Sequence, residues 1–295
     1  MDRIPKNLAV IGGGFIGCEY ATIFMAMGIV VTLIESKPRL LPFIDSEIAE
    51  RLHAHLADLG MTILLDEDYD HIEKSASSAI VHLKSGKTFA TEKVLVAAGR
   101  YGNTKHLGLE TLKITPDAKG HIAVNLQFQS SVPNVYAAGD VIGFPSLAST
   151  SMEQARVAMC HAFKLEYKKQ VSPFIPLAVY SIPEISYAGA TEDSLKEKKI
   201  PYCVGRAMFE LNARGQIIGD LHGMVKLLFS PSDQKLLGVH ILGEGASELI
   251  HLGLFVMSQG LTIDYFIQSV FNFPTLSEAY KYAAYDGLGN LQKMK

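Results

Sequence analysis

The first hundred positions alternate short apolar runs with amphipathic segments of helical length. Residues 8–11 and 29–34 are continuous apolar or β-branched runs, which is typical of parallel strands buried on both faces. The apolar positions between them end at Gly28, which predicts a helix with a glycine just beyond its C-terminus. A second helix is predicted after Asp45, a residue type that can cap it. Its apolar face would be formed by Ile48, Leu52, Leu56 and Leu59.

The pattern changes after this predicted βαβ unit. Residues 61–65, 79–83 and 94–99 predict a strand, a hairpin-like excursion and a return strand. From about residue 101 loops and short strands prevail. Residues 135–138 have the character of a buried strand, and a helix is predicted over about residues 151–164.

The C-terminal part has the pattern of an α+β domain. Residues 168–173 are the best candidate for a linker. Beyond them, residues 225–229 and 236–242 predict two strands around a turn, and residues 246–259 predict a largely apolar helix.

Composition narrows the classes of function. The chain has 295 residues, 48% of them apolar, and a net charge of −3, which predicts a globular protein of two or three domains without a basic surface for nucleic acid or anionic membrane. No apolar run reaches the ~18 residues that span a bilayer, and residues 1–5 do not resemble a signal peptide, so a cytoplasmic location is expected. Cys18, Cys160 and Cys203 have no metal-binding or CxxC spacing. We expect buried, reduced thiols and no metal site.

A GxGxxG pattern lies between the first predicted strand and helix, at Gly12, Gly14 and Gly17. In such a pattern the first glycine permits a tight turn, the second lets the backbone approach a pyrophosphate, and the third lets helix and strand pack closely. The helix N-terminus adds unpaired N–H groups and a partial positive charge. Because a strand, a helix and a following acid are all present, the pattern predicts a dinucleotide site. The alternative is a glycine-rich turn without a ligand.

The following acid is Glu35, at the end of the second predicted strand. An acid about 20 residues beyond the glycines hydrogen-bonds the adenosine ribose and repels a 2′-phosphate, which favours NAD over NADP. Lys37 and Arg39 follow closely. They would accommodate the phosphate if Glu35 turned away, or they are solvated loop charges.

Several motifs occur along the chain in a fixed order. The fingerprint continues as CEYA at residues 18–21; AAGR, YAAGD and FPTLSEAY follow at residues 97–100, 136–140 and 273–280. Together they resemble the FAD-dependent pyridine nucleotide–disulfide oxidoreductases, over the whole chain. The resemblance implies an α/β fold in which a Rossmann-type nicotinamide-binding domain interrupts a split FAD domain, followed by an interface domain.

The resemblance implies three domains. Residues 1–100 would form the NAD(P)-binding domain, residues 101–168 the C-terminal half of the split FAD domain, and residues 169–295 an α+β interface domain that makes a homodimer or higher oligomer. In the family the first half of the FAD domain precedes the nicotinamide domain, and nothing in this chain corresponds to it. The chain is therefore expected to be the C-terminal portion of a longer flavoprotein, with exposed apolar surface over residues 101–168, and to be inactive alone.

The resemblance also implies cofactor contacts. Asp140 would hydrogen-bond the flavin ribitol, and the backbone near Leu147 and Ala148 would approach the isoalloxazine. Glu19 would lie on the nicotinamide side of the flavin, and Gly99 of the AAGR motif is included among the cofactor-binding residues. Without the resemblance, Asp140 could cap the next turn and Glu19 could be an exposed acid in the first turn of its helix.

The C-terminal motif separates branches of the family. Its disulfide reductases carry a His-Pro pair, whose histidine shuttles protons, and a Glu four residues after the proline. Here Phe273, Pro274 and Glu278 stand at these positions. Phenylalanine cannot carry a proton, which argues against dithiol chemistry and leaves no catalytic side chain to assign. The likeness points to the soluble transhydrogenase branch, in which NADH and NADP⁺ exchange a hydride through FAD by turns at one site.

Two alternatives to a transhydrogenase stay open. One is a dihydrolipoamide-dehydrogenase-like reductase that has lost its base, and the other is a non-catalytic, dimerising NAD-binding module. Glu35 fits a transhydrogenase less well than it fits an NAD-specific protein, because a transhydrogenase must accept the 2′-phosphate.

Overall fold

The N-terminal region folds into a βαβ unit extended by further strands. In the computed structural model, which describes residues 3–75 and 77–294, its elements are β1 (Asn7–Ile11), α1 (Phe15–Ala26), β2 (Val30–Ile34), α2 (Ser46–Asp58), β3 (Thr62–Leu64), β4 (Tyr69–Lys74), β5 (Ala79–Leu83), β6 (Thr88–Thr91) and β7 (Lys93–Val96). β3, β2, β1 and β7 lie side by side in that order, all parallel. β4, β5 and β6 form a separate antiparallel sheet. The predicted strand, excursion and return strand are all present.

Local chemistry explains where the two helices begin and end. Gly28, with φ of +83°, follows the C-cap of α1, and its N–H donates to Met25 O while that of Ile29 donates to Phe24 O. Asp45 caps α2 by accepting from the N–H of Glu47 at 3.2 Å, as predicted.

The apolar face predicted for α2 is confirmed at three of its four positions. Ile48, Leu52 and Leu56 are buried, but the side chain of Leu59 is 56% exposed. Leu59 is the C-cap residue and lies beyond the last full turn of the helix, so the helical spacing no longer directs its side chain to the core.

The C-terminal region packs on the N-terminal region within one compact unit, formed by residues 3–98 and 176–294. Helix α3 (Ala148–Ala162) precedes this region along the chain. The elements of the region are β8 (Leu177–Val179), β9 (Ile185–Gly189), α4 (Glu192–Glu197), β10 (Cys203–Met208), α5 (Ala213–Ile218), β11 (Met224–Phe229), β12 (Leu236–Leu242), α6 (Ala246–Ser258), α7 (Asp264–Gln268) and α8 (Ala279–Lys293). The five strands form an antiparallel sheet in the order β10-β11-β12-β9-β8. α6 packs on β12 and α8 on β10. The predicted α+β pattern of this region is confirmed.

Residues 99–175 form the second compact unit, which has little regular structure. It contains α3 (Ala148–Ala162), two short 3₁₀ turns and a small core formed by Leu109, Ile114, Ile122 and Ala137. The division into the three predicted domains stays a prediction.

The buried strand predicted at residues 135–138 is wrong. Tyr136 forms an isolated bridge to Gln129, with backbone bonds from Ser130 N to Val135 O and from Ala137 N to Phe128 O on either side of it. The backbone N–H of Val135 turns back to Val132 O, so a tight turn uses the group that would extend a ladder. α3 also begins three residues earlier than predicted.

A buried ionic cluster joins the two regions of the first unit. Lys226 of β11 is fully buried, and its Nζ lies 2.6 Å from Asp45 Oδ1, 2.9 Å from Glu47 Oε2 and 2.5 Å from Glu192 Oε1. Nε of Arg206 donates to both carboxylate oxygens of Glu47, at 2.9 and 3.0 Å. Three carboxylates this close would suit a divalent cation. The ammonium of Lys226 supplies the positive charge instead.

The cluster is ionised despite its burial. Burial opposes the charge of Lys226, yet hydrogen bonds to Asp45 and Glu192 raise its pKa. Burial likewise opposes ionisation of Glu192, yet hydrogen bonds from Lys226 and Tyr202 lower its pKa. The pKa of Glu47 is lowered against its burial by Arg206 and Lys226. All three carboxylates therefore keep their charge at neutral pH; Lys226 contacts each of them, and Arg206 is a second cation for Glu47.

No helix within residues 3–75 and 77–294 combines the length and the apolar character needed to cross a membrane.

We expect Lys226→Ala to lower the free energy of unfolding by about 3–5 kcal/mol, because it removes the buried ammonium that the three carboxylates share. Urea unfolding at neutral pH measures this loss. Lys235→Ala is the matched control, since Lys235 is an exposed lysine that pairs with Asp233 at 3.2 Å, and it should cost less than about 1 kcal/mol.

The pH dependence gives a second readout for the same variant. In the unaltered chain the folded pKa values of Glu47 and Glu192 lie below their unfolded values, so their contribution is complete above about pH 4.3 and is lost as the pH falls through the folded values. In Lys226→Ala the carboxylates repel one another and gain protons more readily. The difference in free energy of unfolding between the unaltered chain and this variant should therefore become smaller as the pH is lowered from about 7 to about 5. A deficit no larger than that of Lys235→Ala would contradict the role of the cluster.

Candidate nucleotide-binding site

The glycine-rich turn is built by two close backbone approaches. Gly12 has a φ of +107°, and a Cβ there would lie 2.5 Å from the carbonyl oxygen of Ala97, just after β7. A Cβ on Gly17 would lie 1.7 Å from the carbonyl oxygen of Gly12. No side chain fits in either place. The turn is therefore tight, and α1 packs directly on it, as the spacing of these two glycines predicts.

Gly14 meets a different environment. It is the N-cap of α1 in an extended conformation, and a Cβ there would meet no atom within 4 Å. Within the described residues no side chain caps α1. The first-turn N–H groups are thus left to a ligand, and the space beside Gly14 is open. A helix N-terminus of this kind binds a phosphate or pyrophosphate, so these residues fit a dinucleotide.

Glu35 lies over this turn, at the carboxyl end of β2. It is 8% exposed; its Oε2 accepts from Gly13 N at 2.6 Å, and its Oε1 accepts from Lys37 N at 2.9 Å. A Cβ on Gly13 would lie 3.0 Å from Oε2 and 2.8 Å from the side chain of Leu40. The structure therefore brings Glu35 beside the fingerprint glycines, where an acid recognises ribose hydroxyls.

The two basic residues that follow Glu35 differ from each other. Lys37 is exposed. Arg39 is an ion-pair partner, because its Nη2 donates to Asp193 Oδ2 at 2.8 Å and to Pro42 O at 3.1 Å. The interpretation of both residues as solvated loop charges is therefore wrong for Arg39. Asp193 has no local sequence signal, since it lies on α4, far along the chain.

Glu19 lies in the second turn of α1 and is half-buried. Its Oε1 accepts from the backbone N–H of Tyr180 at 2.9 Å, and Oγ1 of nearby Thr22 accepts from that of Ile182 at 3.1 Å. The alternative that Glu19 is an exposed acid in the first turn of its helix is wrong. The helix begins at Phe15, so Glu19 belongs to its second turn, and the side chain is half-buried. Glu19 helps to attach α1 to the segment after β8.

The residues expected to face a flavin lie in the second unit. Asp140 begins a 3₁₀ turn, and its Oδ2 lies 2.6 Å from Nη1 of Arg100. Gly139, not Asp140, is at the cap position, so the alternative capping role is wrong. The N–H of Gly139 donates to Oε1 of buried Gln154 at 2.7 Å. Neither Arg100 nor Gln154 was assigned a role from sequence, and Gln154 has no motif that signals one.

The remaining predicted residues of this unit lie at element ends. Gly99 has a φ of +121° just after β7, which a residue with a side chain rarely adopts. Leu147 is the N-cap of α3 and Ala148 is its exposed first residue. Within the described residues no side chain caps α3, so its first N–H groups are available to a polar ligand.

The thiols take no part in either group of residues. Cys18, Cys160 and Cys203 are buried and free of disulfides, which confirms the prediction. Burial, with the nearby charges of Glu35 and Glu19, raises the pKa of Cys18 far above its usual range, which makes it a poor nucleophile. Phe273, at the position of the family's base, has a side chain that is 74% exposed.

Comparison with known proteins identifies the architecture. The profile of the pyridine nucleotide-disulphide oxidoreductases matches residues 2–162, and the profile of their dimerisation domain matches residues 175–284. Among solved structures, LpdA from Mycobacterium tuberculosis superimposes with a TM-score of 0.89 at 26% identity, over 97% of this chain and 62% of its own. The HOCl-induced flavoprotein disulfide reductase RclA from Escherichia coli gives 0.91 at 26% identity, over 97% and 66%.

Curated relatives are closer in sequence. The soluble pyridine nucleotide transhydrogenase of Mycobacterium bovis (strain BCG Pasteur) is 45% identical over 294 residues, which cover 100% of this chain and 63% of the relative. That of Enterobacter sp. (strain 638) is 44% identical over 290 residues, 97% of this chain and 62% of the relative. The chain thus spans less than two thirds of the length of these relatives. The predicted resemblance and the α/β fold class are confirmed, and the chain belongs to the pyridine nucleotide-disulphide oxidoreductase family.

Proposed function

We propose that this chain carries the nicotinamide-nucleotide site of an FAD-dependent transhydrogenase, which transfers a hydride between NADH and NADP⁺. The observation that carries the proposal is the cradle formed by Gly12, Gly14 and Gly17 at the uncapped start of α1, with Glu35 over it. The backbone N–H groups of α1 bind the pyrophosphate, and the carboxylate of Glu35 accepts from the adenosine ribose. The identity to the transhydrogenases supports the same activity.

The second unit supplies contacts for the flavin in this proposal. Asp140, held by Arg100, would accept hydrogen bonds from the ribitol, and the N–H groups of the first turn of α3, from Ala148 onward, would face the polar edge of the ring. Gly99 gives the backbone the conformation needed just after β7. Glu19 lies on the nicotinamide side of the flavin. FAD, when bound, supplies the chemistry of accepting and returning a hydride. The chain positions both partners and provides no group that forms a covalent bond.

Transhydrogenase chemistry fits the side chains better than reduction of a disulfide. A dithiol relay needs a base and a reactive thiolate. The C-terminal motif offers an exposed phenylalanine, Phe273, in place of the base. Hydride exchange between two nicotinamides requires neither group, so this geometry leaves the reaction intact.

The C-terminal region is proposed to form the interface of a homodimer, in the division into domains 1–100, 101–168 and 169–295. Its profile describes a dimerisation domain. Large apolar side chains lie on its surface, with exposed fractions of 95% for Val270, 74% for Phe273 and 66% for Phe255. Apolar surface of this kind is characteristic of protein interfaces. A cytoplasmic location is part of the same proposal.

The polypeptide of residues 1–295 is proposed not to hold FAD by itself. The unit of residues 99–175 leaves several large apolar side chains in solvent, among them Leu126 at 85%, Phe144 at 84% and Tyr101 at 79%. In the relatives, sequence that this chain does not match makes up more than a third of the length. We infer that such sequence covers this surface and completes the flavin site.

The function is tested with the chain alone and with a chimera. Purified residues 1–295 should bind NADH. When they are supplied with FAD, NADPH and an NAD⁺ analogue of distinct absorbance, they should retain no flavin and show no hydride transfer. Adding the unmatched segment of the M. bovis relative in front of the chain should restore bound flavin and transfer, without oxidation of dihydrolipoamide. Turnover by the unextended chain, or dihydrolipoamide oxidation by the flavin-loaded chimera, would contradict the proposal.

Gly14→Ala should separate binding from folding. The new methyl group meets no protein atom within 4 Å, so the free energy of unfolding should change by less than about 1 kcal/mol. It would occupy the space of the pyrophosphate, and we expect NADH affinity to fall at least about tenfold. Gly17→Ala is the contrast, since its methyl group would lie 1.7 Å from Gly12 O and should prevent stable folding. Unchanged NADH affinity of Gly14→Ala in calorimetry would place the nucleotide elsewhere.

Glu35→Gln should lower the affinity for NADH about tenfold, because the ribose hydroxyl then donates to a neutral amide oxygen and no longer to a charged carboxylate. The same change removes a negative charge facing the 2′-phosphate, so the affinity for NADPH should fall less or should rise. The two titrations are run side by side. Equal losses for both nucleotides would show that Glu35 acts only by holding the turn through Gly13.

A further inference from the structure

Arg39 and Asp193 form an ion pair between distant parts of the chain. Arg39 lies in the loop that follows Glu35, and this loop folds back over the fingerprint turn, since Leu41 N donates to Gly13 O at 2.9 Å. Arg39 is thus two residues from a direct contact with the turn. Its guanidinium donates to Asp193 Oδ2 at 2.8 Å and to Pro42 O at 3.1 Å, and the side chains of Arg39 and Asp193 are 27% and 43% exposed.

The backbone of Asp193 is held in a capped helix end. It lies in the first turn of α4, whose N-terminus is fixed by a capping box between Thr191 and Ser194, with bonds of 3.1 and 3.0 Å. The preceding residue, Glu192, belongs to the buried cluster around Lys226. Arg39 is on a loop and has a long side chain, so it is the partner that can move.

The acid in the site cannot by itself accept both nucleotides. Glu35 suits the two ribose hydroxyls of NAD(H), and its charge repels the 2′-phosphate of NADP(H). A phosphate bound beside it needs a compensating cation. Arg39 is the arginine of the loop that covers the turn, and a guanidinium binds a phosphate through two parallel hydrogen bonds.

We propose that Asp193 is a specificity-determining positioning residue, which holds Arg39 away from the ribose when NAD(H) is bound and gives it up to the 2′-phosphate when NADP(H) is bound. This inference rests on the proposed function, because it assigns the adenosine end of the same site. The exchange replaces one partner of the guanidinium by another of higher charge. Both states keep Arg39 paired, so one site accepts both nucleotides, and Asp193 sets the ratio of their affinities.

The strength of the competing pair sets the size of the effect. Arg39 and Asp193 are partly exposed, and ion pairs of this kind are weak. Removing the carboxylate of Asp193 should therefore raise the affinity for NADPH only about two- to fivefold. Loss of the arginine itself removes a charge-assisted contact to the phosphate and should weaken NADPH roughly tenfold or more. Neither change should alter the affinity for NADH, because its adenosine ribose carries no phosphate.

The test is a double-mutant cycle on the full chain, with NADH and NADPH titrated by fluorescence. Asp193→Asn should raise the affinity for NADPH about two- to fivefold and leave the affinity for NADH unchanged. Arg39→Met should lower the affinity for NADPH alone. In the double variant Asp193→Asn should have no further effect, because its partner is gone. Lys37→Met is the matched control for loss of a nearby positive charge, and thermal melting shows that each variant folds.

Three results would overturn the inference. They are tightening of NADPH by Asp193→Asn in the Arg39→Met background, equal changes for NADH and NADPH in Asp193→Asn, and a larger loss of NADPH affinity in Lys37→Met than in Arg39→Met. Failure of the unaltered chain to bind NADH is a separate outcome. It would overturn the proposed nucleotide site and this inference with it. The first three results, in contrast, are obtained with an unaltered chain that binds NADH, and they leave the proposed site standing.

Discussion

The burial of one lysine among three carboxylates is the interaction on which the rest of the first unit depends. Lys226 joins the start of α2, through Asp45 and Glu47, to the start of α4, through Glu192. A buried ion pair is not in itself a large source of stability, because desolvation offsets most of the attraction. Its geometry is selective, however, since every alternative arrangement would leave a charge without a partner. The cluster thus fixes where the C-terminal region meets the N-terminal region, and it places Asp193 beside Arg39.

The parts of the fold that sequence predicts are those with local causes. The apolar runs of β1 and β2, the glycine after α1 and the cap at Asp45 are each dictated by a few neighbouring residues. Residues 135–138 have the same apolar character as β1, and yet they form only a single bridge, because the tight turn at residues 132–135 keeps the pairing with residues 128–130 from extending. The apolar pattern alone does not show this turn.

The same distinction holds for the candidate site. The roles of the fingerprint glycines follow from a spacing of a few residues, and the structure shows the close approaches that require Gly12 and Gly17. The roles of Arg39, Glu19 and Gln154 depend on partners far along the chain, at Asp193, Tyr180 and Gly139. Such contacts have no periodicity or motif. Family resemblance indicated that Asp140 and Glu19 matter, but it did not indicate that Arg100 and the segment after β8 hold them.

Gly13 is constrained by the acid at position 35. Its N–H binds Glu35 Oε2, and a side chain there would collide with that carboxylate and with Leu40. The GxGxxG pattern leaves this position free, but the carboxylate does not. Positions 13 and 35 should therefore covary among proteins of this architecture: where evolution or a designer shortens the acid to admit a phosphorylated ribose, the neighbouring glycine is released from its steric restriction.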